Sequence, residues 1–90
     1  MPHPRYSGAE ITRRGRDIYE RRVRPLVEVP ENIGRIVSID VDTGAYAIGD
    51  DLISAGSPLL ATHPGAALYG ARIGYNAVYA VGGSLVRTEA

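Results

Sequence analysis

The stretch from Ile33 to Asp51, IGRIVSIDVDTGAYAIGDD, constrains the fold most, because alternation, turn chemistry and a helix-start signal agree in it. Ile33, Val37, Ile39 and Val41 share one side of a strand, and Ser38, Asp40 and Asp42 share the other, which predicts one buried and one wet face. A loop of two or four residues around Thr43-Gly44 sets Val41 opposite Tyr46 and Ile39 opposite Ile48. A three-residue loop would set Tyr46 and Ile48 against aspartates, so side-chain chemistry selects the even register. Asp50-Asp51 then places carboxylates at the positive end of a following helix.

Ninety residues around this hairpin suffice for one small domain, burying roughly 60 to 65% of its unfolded surface. Residues 1–6, with two prolines, read as a flexible lead-in, and residues 7–90 as a single α+β domain. Ser7-x-x-Glu10 forms a capping box, and the helix it opens is predicted to stop near Arg24, because Pro25 disfavours helical geometry in the residue before it. Ile11, Gly15, Ile18, Tyr19, Val23 and Leu26 make its apolar stripe. Arg22 falls inside that stripe, where its stem must lie over the core edge or its charge must meet a partner. The opposite face pairs Glu10 with Arg14, Asp17 with Arg21 and Glu20 with Arg24, at the i,i+4 spacing.

Leu52, Gly56, Leu59, Leu60 and His63 keep a helical stripe through Ser57-Pro58, as one kinked helix or as two turns with Pro58 opening the second. His63 reads as a cap on the negative end of that helix. Two glycine-rich strands follow, about residues 67–74 and 77–86, with a turn near Tyr75-Asn76. The predicted architecture is an N-terminal helix followed by ββαββ: a four-stranded, mainly antiparallel sheet with helices on one face. Its last hairpin is free to pair with a second copy.

Charge is unevenly spread in a chain of zero net charge. Residues 1–24 hold seven arginines against three acids, a surplus of four positive charges that the remaining residues offset. Such a chain docks its basic segment on its own acidic body, on a second copy, or on an anionic partner. Interleaved acids make the nucleic-acid footprint small, so DNA or RNA is not favoured. Six tyrosines without Phe or Trp supply aromatic groups of the kind enriched at interfaces. Contacts to another chain are expected from Arg14, Arg21 and Arg22 on the helix and from Arg72, Tyr75 and Asn76 at the sheet edge.

With no cysteine there is no disulfide, thiolate nucleophile or sulfur-ligated metal. No apolar run approaches the roughly 20 residues of a membrane span, and no apolar signal core opens the chain, so a cytoplasmic protein is expected. Asp42-Thr43-Gly44 matches the active-site tripeptide of retroviral-type aspartic proteases, in which two subunits supply one aspartate each. It equally suits a tight turn, where Asp bonds its own backbone and Gly accepts positive φ. Asp40-x-Asp42 with Asp51 mimics a calcium loop but has Ala45 where glycine is required. No catalytic residue, metal site or cofactor is expected.

Three stretches carry a family likeness: Ile18-Tyr19-Glu20 through Val27-Glu28, Gly34-Arg35-Ile36-Val37 through Gly44, and His63-Pro64 through Tyr75. On these the chain resembles a family of short uncharacterised bacterial proteins, common in cyanobacteria and often encoded beside toxin-like or clan AA aspartic-protease genes. The resemblance spans roughly residues 9–83 and implies a non-enzymatic, antitoxin-like partner protein. The expected function is therefore a non-catalytic interaction or regulatory module, acting as a small homo-oligomer and able to bind the product of a neighbouring gene. The alternative is a small DNA-binding regulator using the arginine-rich helix. A dimeric aspartic hydrolase stands third.

Overall fold

The computed structural model describes residues 6–75, 78–81 and 86–88, the last two stretches as backbone strands. Helix α1 spans Gly8–Ile18 and opens on the expected box: the Ser7 hydroxyl accepts from the Glu10 N–H at 3.1 Å, and Glu10 Oε1 accepts from the Ser7 N–H at 3.1 Å. The helix does not stop at Arg24. It widens into a π turn over Tyr19–Val23 and continues as α2, Arg24–Val27, with Pro25 in the first turn of that segment.

That wide turn reassigns the buried face. Ile11, Gly15, Tyr19, Val23 and Val27 are all buried at a spacing of four. In a regular helix that spacing drifts by about 40° per step. A π turn takes in one extra residue and rotates the stripe back toward the sheet. Val27 consequently replaces the expected Leu26, which is exposed, and Arg22 swings out of the stripe to become exposed as well.

The strands are β1 (Ile36–Asp40), β2 (Tyr46–Gly49), β3 (Leu68–Arg72), β4 (Val78–Val81) and β5 (Val86–Thr88). A three-stranded antiparallel unit, β2-β1-β3, carries the described side chains; β4 and β5 extend it, giving the order β2-β1-β3-β4-β5 with every pairing antiparallel. The four-stranded sheet expected from sequence is thereby corrected. The predicted last strand divides into β4 and β5, and Gly82-Gly83-Ser84 falls between them, outside the described residues.

Helices on one face is the second correction. Ile11, Tyr19 and Val23 of the N-terminal helix pack on Val37, Ile39, Tyr69 and Ala71, one face of the sheet. Helix α3, Leu52–Thr62, lies on the other: Leu59 joins Leu68 and Ala47, and Gly56 faces Leu68 and Ser38. The supposedly wet face of β1 is therefore covered, and Ser38 and Asp40 are each only 2% exposed. The small residues Ser38, Gly56 and Gly70 let α3 approach the sheet closely on this face.

The hairpin register also shifts. Ile39 faces Tyr46 and Val37 faces Ile48, two residues from the expected pairing yet with apolar still against apolar. Asp40 N–H donates to Ala45 O, which leaves a four-residue loop, 41–44, closed by Gly44 N–H on Asp40 O at 2.8 Å. Gly44 takes φ +81°, the left-handed conformation that glycine supplies without a Cβ clash. Helix α3 runs unbroken through Pro58. Asp51 caps it by accepting from the Ser54 N–H at 2.7 Å.

Candidate functional site

Two features of the described residues offer chemistry beyond the core: an apolar groove beside α3, and a polar cluster at the turn end of β1. Helix α3 carries no charged residue along its 11 positions, whereas α1 carries five. Ala55, Gly56 and Leu59 face the sheet, but Ile53 is 80% exposed and Leu60 40%. Ile53, Gly56, Ser57 and Leu60 recur at i, i+3, i+4 and i+7, which aligns them along one flank. That flank and Ser38, Leu68 and Gly70 of the sheet enclose a groove of about 230 Å³. A wider, shallower hollow of about 720 Å³ runs along α1, past Thr12, Arg16 and Glu20.

The cluster at the turn begins with Asp40, the last residue of β1. Its Oδ1 accepts from the Asp42 N–H at 2.9 Å, and its Oδ2 lies 2.9 Å from Nδ1 of His63, the residue that ends α3. Burial acts to raise the Asp40 carboxyl, but the His63 hydrogen bond and the backbone N–H groups of Asp42 and Thr43 outweigh it, holding it below the usual carboxylate value. Asp42 receives a hydrogen bond from the Tyr6 hydroxyl, and the Arg14 guanidinium stacks over the Tyr6 ring at 4.8 Å. Thr43 Oγ1 accepts from the Ala45 N–H at 3.1 Å. These contacts of Asp42 and Thr43 serve the turn and its anchor to Tyr6. One oxygen from each aspartate and one His63 nitrogen lie within 4.8 Å of one another.

The residues expected to meet a partner are not gathered in one place. Arg14 and Arg22 lie toward the turn end, the latter with Nη1 3.9 Å from where a Gly44 Cβ would stand. Arg21 is exposed on the helix, paired with Asp17 at 2.9 Å. Arg72 and Tyr75 sit at the opposite end of the sheet. Arg72 donates to Gly34 O at 2.7 Å and so ties β3 to the turn before β1, while Tyr75 is exposed. Asn76 lies outside the described residues.

Sequence reasoning overlooked α3 as a surface and missed the Asp40–His63 contact, which joins residues 23 apart. The signal for the first was present in LISAGSPLLAT, an uncharged helix in a chain of which 22% of residues are charged. Compared with protein-family models, curated proteins and solved structures, the chain matches none. Among the described residues no helix is long and apolar enough to cross a membrane.

Proposed function

We propose that the protein is a non-catalytic, cytoplasmic interaction module that works as a homodimer through α3. The observation that carries this is the uncharged helix with Ile53 80% exposed beside an apolar groove. A helix without charge on any side is one that another surface covers. The helix dipole favours a second copy, antiparallel, as the occupant. Asp50 and Asp51 precede the helix and His63 ends it, and the stripe is centred near Gly56-Ser57. Crossing two antiparallel copies there opposes their helix dipoles, setting the positive start of each helix beside the negative end of the other. Ser57, small and exposed between Ile53 and Leu60, leaves room for the partner's side chains, as a self-complementary twofold contact requires.

The arginine-rich helix supports the protein reading over the nucleic-acid one. Arg21 is bonded to Asp17, and Arg24 to Glu20 at 2.7 Å and Glu28 at 3.0 Å, so these cations already have carboxylate partners.

The test is mass in solution at tens of micromolar. Twice the 9.6 kDa chain mass is expected for the natural sequence. Burying an isoleucine is worth roughly 1.5 to 3 kcal/mol, and it occurs twice in a symmetric pair, so Ile53→Glu should weaken association on the order of 100-fold or more. A strict monomer, or a dimer that Ile53→Glu leaves intact, would refute the proposal.

A further inference from the structure

We propose that Asp40, Asp42 and His63 form a binding site for a divalent cation of the zinc class, within one chain and independent of the α3 pairing. Three separate pieces of backbone deliver the ligands: the end of β1, the β1–β2 turn, and the residue ending α3. Their donor atoms lie within 4.8 Å of one another, and His63 Nδ1 is 2.9 Å from Asp40 Oδ2. Bonds of about 2.0 to 2.2 Å to a tetrahedral zinc separate its ligands by roughly 3.3 Å. Asp40 and His63 stand close to that separation, the ion replacing the hydrogen that bridges them, and Asp42, held by the Tyr6 hydroxyl, exchanges its present contacts to supply the third oxygen.

Charge and orientation support the same assignment. Two carboxylates and a neutral imidazole sum to the −2 that a divalent cation cancels, and mixed imidazole and carboxylate donors suit zinc. Asp40 is buried, and the Asp42 N–H fixes its Oδ1, so Oδ2 is aimed by the fold before any ion arrives. Tyr6 donates to Asp42 in the manner of the outer hydrogen-bond partners that orient metal-binding carboxylates. Three protein ligands leave the fourth zinc position to water. Nδ1 ligation turns the His63 Nε2–H away from the ion.

The experiment is titration of the full chain with zinc chloride by calorimetry near pH 7.5, with cobalt(II) absorption as the readout of coordination. One zinc per chain is expected, with an imidazole-nitrogen and oxygen spectrum for cobalt and a shift of the His63 Nδ1 resonance. Asp42→Asn and His63→Gln should each weaken binding at least about tenfold, since each removes a ligand, and circular dichroism establishes that both fold. His3→Gln should leave binding unchanged. Ile53→Glu should also leave it unchanged, which separates failure of this site from failure of the dimer. The assignment is overturned if zinc at 100-fold excess does not bind, or if Asp42→Asn and His63→Gln bind as the natural chain does.

Discussion

Replacing Gly15 by alanine tests the packing on which the two-faced sheet depends. A Cβ at Gly15 would stand 2.0 Å from Tyr69 Cγ, 2.1 Å from its Cβ and 2.5 Å from its Cδ1. Ordinary contact begins near 3.4 Å, so α1 and β3 must part by more than an ångström. Tyr69 has no room to withdraw, because it is 1% exposed and β3 is held between β1 and β4. The helix must lift instead, uncovering Ile11 and Tyr19 beside it. Alanine gains up to about 1 kcal/mol of helix propensity over glycine, against roughly 1 to 3 kcal/mol or more for overpacking a fixed core. With more than an ångström of displacement the upper end applies, giving a net loss of about 2 kcal/mol and a Tm lower by about 8 to 16 °C. Urea unfolding followed by circular dichroism reads the change. Gly65→Ala, where a Cβ meets nothing within 4 Å, is the control and should not lower the midpoint. If Gly15→Ala equals or exceeds the natural protein in stability, propensity has won and α1 does not press on Tyr69 as described.

Gly44→Ala should cost about 1 to 2 kcal/mol from the left-handed conformation alone, since a Cβ there has space, and Gly44→Asn should recover part of it; thermal melts of both variants check this. The Asp40 carboxyl is depressed in the folded state, so its contribution to stability is present above the ordinary value of 3.8 and is lost as pH falls below it. Asp40→Asn should accordingly flatten the loss of stability below about pH 4, as measured by urea midpoints across pH; an unchanged acid slope would place the depression elsewhere.

Local signals were legible where a few neighbouring residues decide the outcome. Ser7 and Glu10 marked the first helix, Asp51 the start of α3, and Gly44 the turn, because each acts within one turn of backbone. Hairpin parity was legible too, but not the register: pairing Ile39 with Ile48 or with Tyr46 satisfies the same apolar rule, and only the hydrogen bonds around Asp40 and Gly44 separate the two. The π turn was hidden because it answers a tertiary demand, keeping Val27 on the sheet beyond Pro25. The second covered face was hidden because Ser38, Gly56 and Gly70 carry no apolar signal; smallness, not hydropathy, admits α3. Of the candidate sites, the α3 flank could be read from its missing charges. Asp40 with His63 could not, since their proximity comes only from the fold.

The central claim, antiparallel pairing of α3 between two copies, is tested most directly by Ser57→Cys in a chain that has no cysteine of its own. A twofold crossing at Gly56-Ser57 brings the two Cα atoms of residue 57 within the roughly 4.4 to 6.8 Å that a disulfide spans. Mild oxidation should therefore convert Ser57→Cys largely to a covalent dimer at tens of micromolar, while Glu31→Cys, exposed in the turn Pro30–Asn32 outside α3, stays monomeric. Ser57→Cys remaining monomeric under conditions that oxidise a free thiol control, or cross-linking no faster than Glu31→Cys, would contradict the pairing.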